Sequence, residues 1–189
     1  MRWLIVLLSL LPVAAQSTGA PTADSEGVMV GAPSSFKIAN QGNDGALNLI
    51  EMVRPPETLD NWSEMISVIT LSDQAVPLDD FYSSWRAGYR AACPGGTENV
   101  VNGTVDSNPA LKATLSCTRD PKTGKPESVT MVFVQGHINL LAVEMAFRRS
   151  MTAADQALVH QIVTSMKICQ AGGRTACAAR RAFGFLPEG

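Results

Sequence analysis

The sequence predicts an α+β protein, a mainly antiparallel β-sheet flanked by two helices, and three observations carry that expectation. Several segments alternate apolar and polar residues with period two, or are short β-branched apolar runs bounded by turn residues. Two longer segments change to a 3.6-residue period. The strands come in runs, with the helices set apart from them, which is the order of an α+β fold and not of alternating α/β units.

The first 15 residues, MRWLIVLLSLLPVAA, carry a basic Arg2, an apolar run from Trp3 to Leu11 and a small pair, Ala14-Ala15. This is the layout of a cleaved secretory signal. The rival reading, an uncleaved anchor, meets an apolar run far short of the ~20 residues a bilayer span needs. Residues 16–34 are small, polar and rich in Pro and Gly, and are expected to form a flexible leader, although GVMV within them has the composition of an edge strand. A single α+β domain is expected over 35–170 and a flexible basic tail over 171–189.

Within the domain, SFKIA is a short strand candidate and NQGNDG a dense turn cluster. ALNLIEMVR (46–54) is a stronger strand, stopped by Pro55-Pro56. WSEMISVIT (62–70) alternates, with Trp62, Ile66 and Val68 pointing one way and Met65 and Ile69 the other. Both of its faces are partly apolar, as in a sheet covered on two sides. Leu78, Phe81, Tyr82, Trp85, Tyr89 and Ala92 then trace one helical stripe. Asp79 or Asp80 is placed to cap its start, and Pro94-Gly95-Gly96 to end it. TENVVNGTV reads either as a strand or as a hairpin turning at Asn102-Gly103. In ALKATLSCT, Leu111, Ala113, Leu115 and Cys117 face in while Lys112, Thr114 and Ser116 face water, so the strand lies at an edge or on an open side.

CTRDPKTGKPESVTMVF raises the possibility of a phosphate-binding loop through Gly124-Lys125. A P-loop requires a glycine five residues before Gly124 and a hydroxyl after the lysine. Arg119 and Pro126 occupy those places, and the β-branched run that follows is a buried strand, so the stretch is strand–turn–strand. NLLAVEMAFR (139–148) is the next strand, with Leu141, Val143, Met145 and Phe147 on one face. TAADQALVHQIVTSMK (152–167) is a helix that opens on a Thr152/Asp155 capping box and buries Leu158, Val159, Ile162, Val163 and Met166.

The 189-residue chain has 15 basic and 17 acidic residues, a formal charge of −2, too small and too mixed to imply nucleic acid or an anionic membrane as partner. No later segment is apolar enough to span a membrane. Four cysteines in an exported chain are read as two disulfides, with three possible pairings. Cys93 closes a helix and Cys117 lies in a strand, which favours that pair and leaves Cys169 with Cys177. The first bridge closes a loop of about 25 residues, worth roughly 3.5 kcal/mol on the chain-entropy model. The spacings 24, 52 and 8 do not suit a zinc site.

No catalytic residue set, metal site or cofactor motif is expected. His137 falls in a turn and His160 on the polar side of a helix; no nucleophile elbow or HExxH motif is present. Asn61-Trp62-Ser63 and Asn102-Gly103-Thr104 match glycosylation sequons. Three residues are candidate ligand contacts. Arg148 and Arg149 end an apolar strand and can hold an anion, and Glu144 alternates with apolar residues on a strand that should be covered on both faces. If buried, Glu144 needs a partner, and Arg148 or Lys112 is placed to supply one.

NWSEMISV, CPGG, DPKTGKPE and AFR, in that order, resemble segments of an uncharacterised family of small exported bacterial proteins. The element order and the tryptophan-led strand also resemble the PsbP-like fold, an α/β/α sandwich, over roughly residues 45 to 170. That resemblance implies a protein that binds or assists something more than it implies a reaction. The function expected is an exported, non-catalytic binding or accessory protein of the bacterial envelope, periplasmic or secreted, whose partner is an envelope protein or a small ligand. The alternatives are a hydrolase whose site is scattered in sequence, and a chaperone or inhibitor of an exported client.

Overall fold

The computed structural model describes residues 26–72, 76–121 and 123–170. The stretch expected as a signal, the first part of the expected leader and the expected basic tail lie outside them. In chain order the elements are β1 (Glu26–Met29), β2 (Lys37–Asn43), β3 (Leu47–Val53), β4 (Glu64–Leu71), α1 (Leu78–Ala92), β5 (Thr97–Val105), β6 (Asn108–Cys117), β7 (Glu127–Gln135), β8 (Leu140–Phe147), α2 (Ala153–Ser165) and β9 (Lys167–Gln170). Seven strands form one sheet in the order β2-β3-β4-β8-β7-β6-β5, and β1 pairs with β9 in a separate ribbon. Every pairing is antiparallel, so the architecture is the expected α+β.

The strand alternation dictates the layers. Ile50, Met52, Ile66, Val68, Val132, Leu141, Val143, Met145 and Phe147 face one side and pack with Val159, Ile162 and Met166 of α2 and Val28 and Ile168 of the ribbon. Leu49, Ile69, Leu111, Ala113, Leu115, Met131, Phe133 and Ala142 face the other side, beneath Tyr82 and Tyr89 of α1. The stripe read from the sequence is the face α1 buries. Phe81, Tyr82 and Trp85 meet Phe133 edge-on, with ring centroids 5.6, 5.9 and 5.3 Å away. Edge-to-face pairs of this kind add about 0.5–1.5 kcal/mol each beyond the area they bury.

The ends of α1 are set differently from expectation. Pro77 takes the cap position and neither Asp79 nor Asp80 makes a capping hydrogen bond, although both charges still sit in the first turn, where the helix dipole favours them. At the other end the Cys93 N–H donates to the Tyr89 carbonyl and the Gly96 N–H to the Cys93 carbonyl. A Cβ on Gly96 would lie 3.1 Å from the Tyr89 ring and 3.2 Å from the Cys93 sulfur, so glycine lets the chain turn against the cystine. That bridge is Cys93–Cys117, with Cα atoms 5.9 Å apart, tying the end of α1 to β6. No described cysteine is free, and Cys169 is also oxidised; its expected partner Cys177 lies outside the described residues.

Other differences have local causes. The stretch read as a leader ends in structure: β1 pairs with β9, and Val28 and Val30 are core residues. β2 runs through the expected turn cluster, and the chain reverses only at Gly45, whose φ is +90°. TENVVNGTV is a single strand; the reversal comes at Asp106 and Ser107, both with positive φ, as the right-handed twist of a two-residue hairpin demands. β6 lies between β7 and β5, so its polar face is an open side and the strand is not an edge. Trp62 precedes β4 and packs with Val53, Val129 and Ala146, apart from Ile66 and Val68. The last helix stops at Ser165, which frees Lys167–Gln170 to pair with β1.

Two further predictions are realised in detail. The Gly124-Lys125 stretch is a hairpin corner in which Gly124 has φ +68°, its N–H donates to the Asp120 carbonyl, and the Asp120 N–H donates to the Lys125 carbonyl. Thr152 and Asp155 form the reciprocal capping box of α2, at 3.2 Å from the Asp155 N–H to Thr152 Oγ1 and 2.8 Å from the Thr152 N–H to Asp155 Oδ2.

Candidate functional site

The register that builds the sheet also sets a polar row across its α1 side. Glu51 of β3 lies opposite Ser67 of β4, Ser67 opposite Glu144 of β8, and Glu144 opposite Met131 of β7. Glu127, at the start of β7, points to the same face four residues before Met131. All four polar residues are buried, at 1% exposure for Glu51, 0% for Ser67, 7% for Glu144 and 5% for Glu127. The Asn40 side-chain amide donates to Glu51 Oε2 at 2.7 Å, while Ser67 Oγ has no hydrogen-bond partner.

Burial is the main cause of this region's electrostatics. It pushes the Glu144 carboxyl up to about 7, and the neighbouring carboxylates Glu127 and Glu51 push in the same direction. Glu127 is likewise raised to about 7 by burial and by Asp120, against a smaller opposing pull from Arg148. Burial, with Glu127 and Asp120, lifts the Tyr89 hydroxyl to about 12. The physical reason is common to all three: each charged form would lose water and face like charge in a medium of low polarity. The result is a pair of carboxyls able to hold or release a proton near neutrality.

The three ligand candidates from the sequence are not brought together. Glu144 lies in the row just described, and among the described residues no ion pair reaches it. The expected partner Lys112 lies on the opposite face of the sheet, since β6 turns Leu111 and Ala113 toward α1. Arg148 shares the face of Glu144 but stacks on Trp62, 4.0 Å from the ring centroid, and its N–H donates to the Ser63 carbonyl. Arg149 points the other way. Its guanidinium donates to Glu64 and to Asp155, the latter at 2.6 Å, and Glu64 also accepts from Arg54. This four-residue network joins β4, the Arg54 turn and the start of α2, and accounts for Arg149 structurally. His137 and His160 are exposed.

Glu51, Ser67 and Glu127 were not singled out from the sequence. Glu51 carries the signal that flagged Glu144, an acid between apolar neighbours in a strand, whereas Glu127 follows Pro126 and reads as part of the turn. Another buried acid, Glu26, has a different task. Its carboxylate accepts from the backbone N–H groups of His137, Ile138 and Asn139 at 3.0, 3.1 and 3.1 Å, closing the β7–β8 turn onto β1. Among the described residues no set of three acidic, histidine or cysteine side chains is placed to hold a metal ion, and no helix is long and apolar enough to cross a membrane.

No family model and no curated protein matches the chain. Solved structures do. LpqN of Mycobacterium tuberculosis, whose structure is described as involved in cell envelope biogenesis, superposes with a TM-score of 0.53 at 16% identity, covering 80% of this chain and 87% of its own. A point mutant of Mog1 matches at 0.48 and 12% identity, over 76% of this chain and 95% of that one. PA94 of Pseudomonas aeruginosa, a protein of unknown function, matches at 0.40 and 15% identity, over 66% and 77%. At these identities the likeness is one of fold, and of these three the one to LpqN is close enough to be argued from. The chain is thus an α+β protein with a distant fold relationship to LpqN.

Proposed function

We propose that the protein is an exported, non-catalytic binding or accessory protein of the bacterial envelope, built on a PsbP-like scaffold, that contacts another envelope protein or a small ligand. The observation that carries this reading is the Cys93–Cys117 cystine, whose cysteines are 4% and 2% exposed within the core beneath α1. A bridge that fixes a helix to the sheet belongs in an oxidising compartment, where such bonds form and persist. The apolar start of the chain, read as a secretory signal, supports the same address, and so does the fold likeness to a protein of cell envelope biogenesis. Arg148 and Arg149, the charges that first suggested an anion site, are engaged in stacking and ion pairing, which leaves recognition to the surface of the domain. Affinity capture with the folded protein from envelope extracts tests the proposal. A saturable partner or ligand that is lost when the cystine is reduced and α1 released is the result expected; recovery of nothing above an unfolded control contradicts it.

One observation favours a second reading, a hydrolase. Glu127 and Glu144 both titrate near 7, the range suited to general acid–base work at neutral pH. Turnover in an esterase, phosphatase and glycosidase panel that disappears in Glu144→Gln would establish it, and an inactive panel removes it.

A further inference from the structure

The two ends of the main sheet are not alike. β2 closes one end, and its pairing with β3 is broken by a register shift between Ile38 and Asn40. Such a bulge twists an edge away from incoming strands. β5 closes the other end and carries fewer of the usual guards. Its register with β6 runs unbroken from Thr97–Ser116 to Val105–Asn108, and its 9 residues, TENVVNGTV, contain no proline and no lysine. Its one charge, Glu98, is occupied by Arg86 at 2.6 Å and by the Tyr82 hydroxyl. Val100 and Val101 remain 38% and 50% exposed, on opposite faces of the strand. Among the described residues no strand pairs with the outer side of β5, so its N–H and C=O groups there form a row open for pairing.

We propose that β5 is a self-association edge, pairing antiparallel with β5 of a second copy about a two-fold axis through Val101. In that register Val101 faces Val101, Val100 faces Asn102, Asn99 faces Gly103, and Glu98 faces Thr104. The two Glu98 side chains then lie about 20 Å apart along the seam at ~3.3 Å per residue, so no like charges meet. The exposed Val101 side chains of the two copies cover each other, as cross-strand β-branched pairs do, and each Val100 lies against Asn102 of the other copy. The strand's self-complementarity is what selects a second copy over a foreign peptide, which would have to supply the same uncharged register. The seam is about 30 Å long but only one strand deep, well short of the roughly 800 Å² per partner of a standard stable interface. The dimer is therefore weak and dependent on concentration.

Sedimentation velocity over a dilution series from high to low micromolar tests this with the purified protein. A reversible monomer–dimer equilibrium is expected, weakened at least about tenfold by Val101→Lys, which sets two ammonium groups face to face, and unchanged by Ile38→Lys on the guarded edge. Register is read separately: Val101→Cys should cross-link to its own counterpart, and Thr104→Cys, facing Glu98, should not. Val101 and Ile38 are both exposed, so thermal melts matching the parent show that the variants fold. A monomer at every concentration overturns the proposal, and so does a dimer that resists Val101→Lys or yields to Ile38→Lys. Equal cross-linking by both cysteine variants overturns the register.

Discussion

Glu144→Gln should make the protein more stable in neutral and alkaline solution and leave it unchanged in acid. Glu144 is 7% exposed and has acids as its charged neighbours. Its carboxyl ordinarily titrates at 4.5 and is raised to about 7 in the folded state. The folded form thus holds its proton more tightly than the unfolded one. Below the unfolded value both states are protonated and nothing is lost. As pH rises from there through about 7, the unfolded chain gives up its proton first and the folded state loses stability relative to it. The full loss is about 3 kcal/mol, from 1.36 kcal/mol for each pH unit between the two values. Against the 5–15 kcal/mol typical of whole domains, that is a large share. Glutamine keeps the shape of the protonated acid without the ionisation, and it also relieves Glu127 of a like neighbour. Urea unfolding at about pH 5 and about pH 8 measures the difference, with the parent losing stability between the two and the variant losing less. A variant equally destabilised at both pH values would refute the reasoning, because Glu144 would then be acting as a hydrogen-bonded carboxylate and not as a buried acid without a base.

Three other substitutions test other parts of the account. Replacing Cys93 and Cys117 together by Ala should cost roughly 3.5 kcal/mol by loop-closure arguments, read as a fall in urea midpoint; a midpoint unchanged under the same conditions would mean the bridge is not formed. Gly136→Ala would put a Cβ 2.1 Å from Glu26 Oε2 and 2.7 Å from the Asn139 carbonyl oxygen, and should destabilise by about 1–3 kcal/mol as Glu26 is pushed off the turn. A melting temperature within error of the parent's would show that the turn accommodates it. Thr152→Ala removes the capping hydroxyl of α2 and should cost about 1 kcal/mol, while Thr152→Ser should restore most of it.

The strands and helices legible in the sequence were those whose burial follows one simple period. α1 spans the residues its aromatic stripe predicted, and β7, apolar nearly throughout, sits mid-sheet as a run without alternation should. β9 escaped notice and β1 showed only as an edge-strand composition within the leader, because each has 4 residues and is stabilised by the other, 138 to 144 positions away along the chain by the Met29–Lys167 and Glu26–Gln170 pairings. Asp79 and Asp80 misled because sequence shows a capping residue type but not the backbone angle that Pro77 imposes ahead of it. Glu144 was legible as a buried acid; its neighbours were not, because Glu51 and Ser67 reach it through the β3-β4-β8 register, which no local pattern specifies. The same parity rule, applied to β6, places Lys112 away from it.

The working place proposed for this domain is outside the cytoplasm, with its first helix joined to the sheet by a cystine. The most direct test is peptide mapping, after thiol blocking in living cells, of the protein recovered from separated envelope, secreted and cytoplasmic fractions. Material in the envelope or secreted fraction with Cys93 joined to Cys117 is the result expected. Protein held in the cytoplasm with those two thiols alkylated would contradict it.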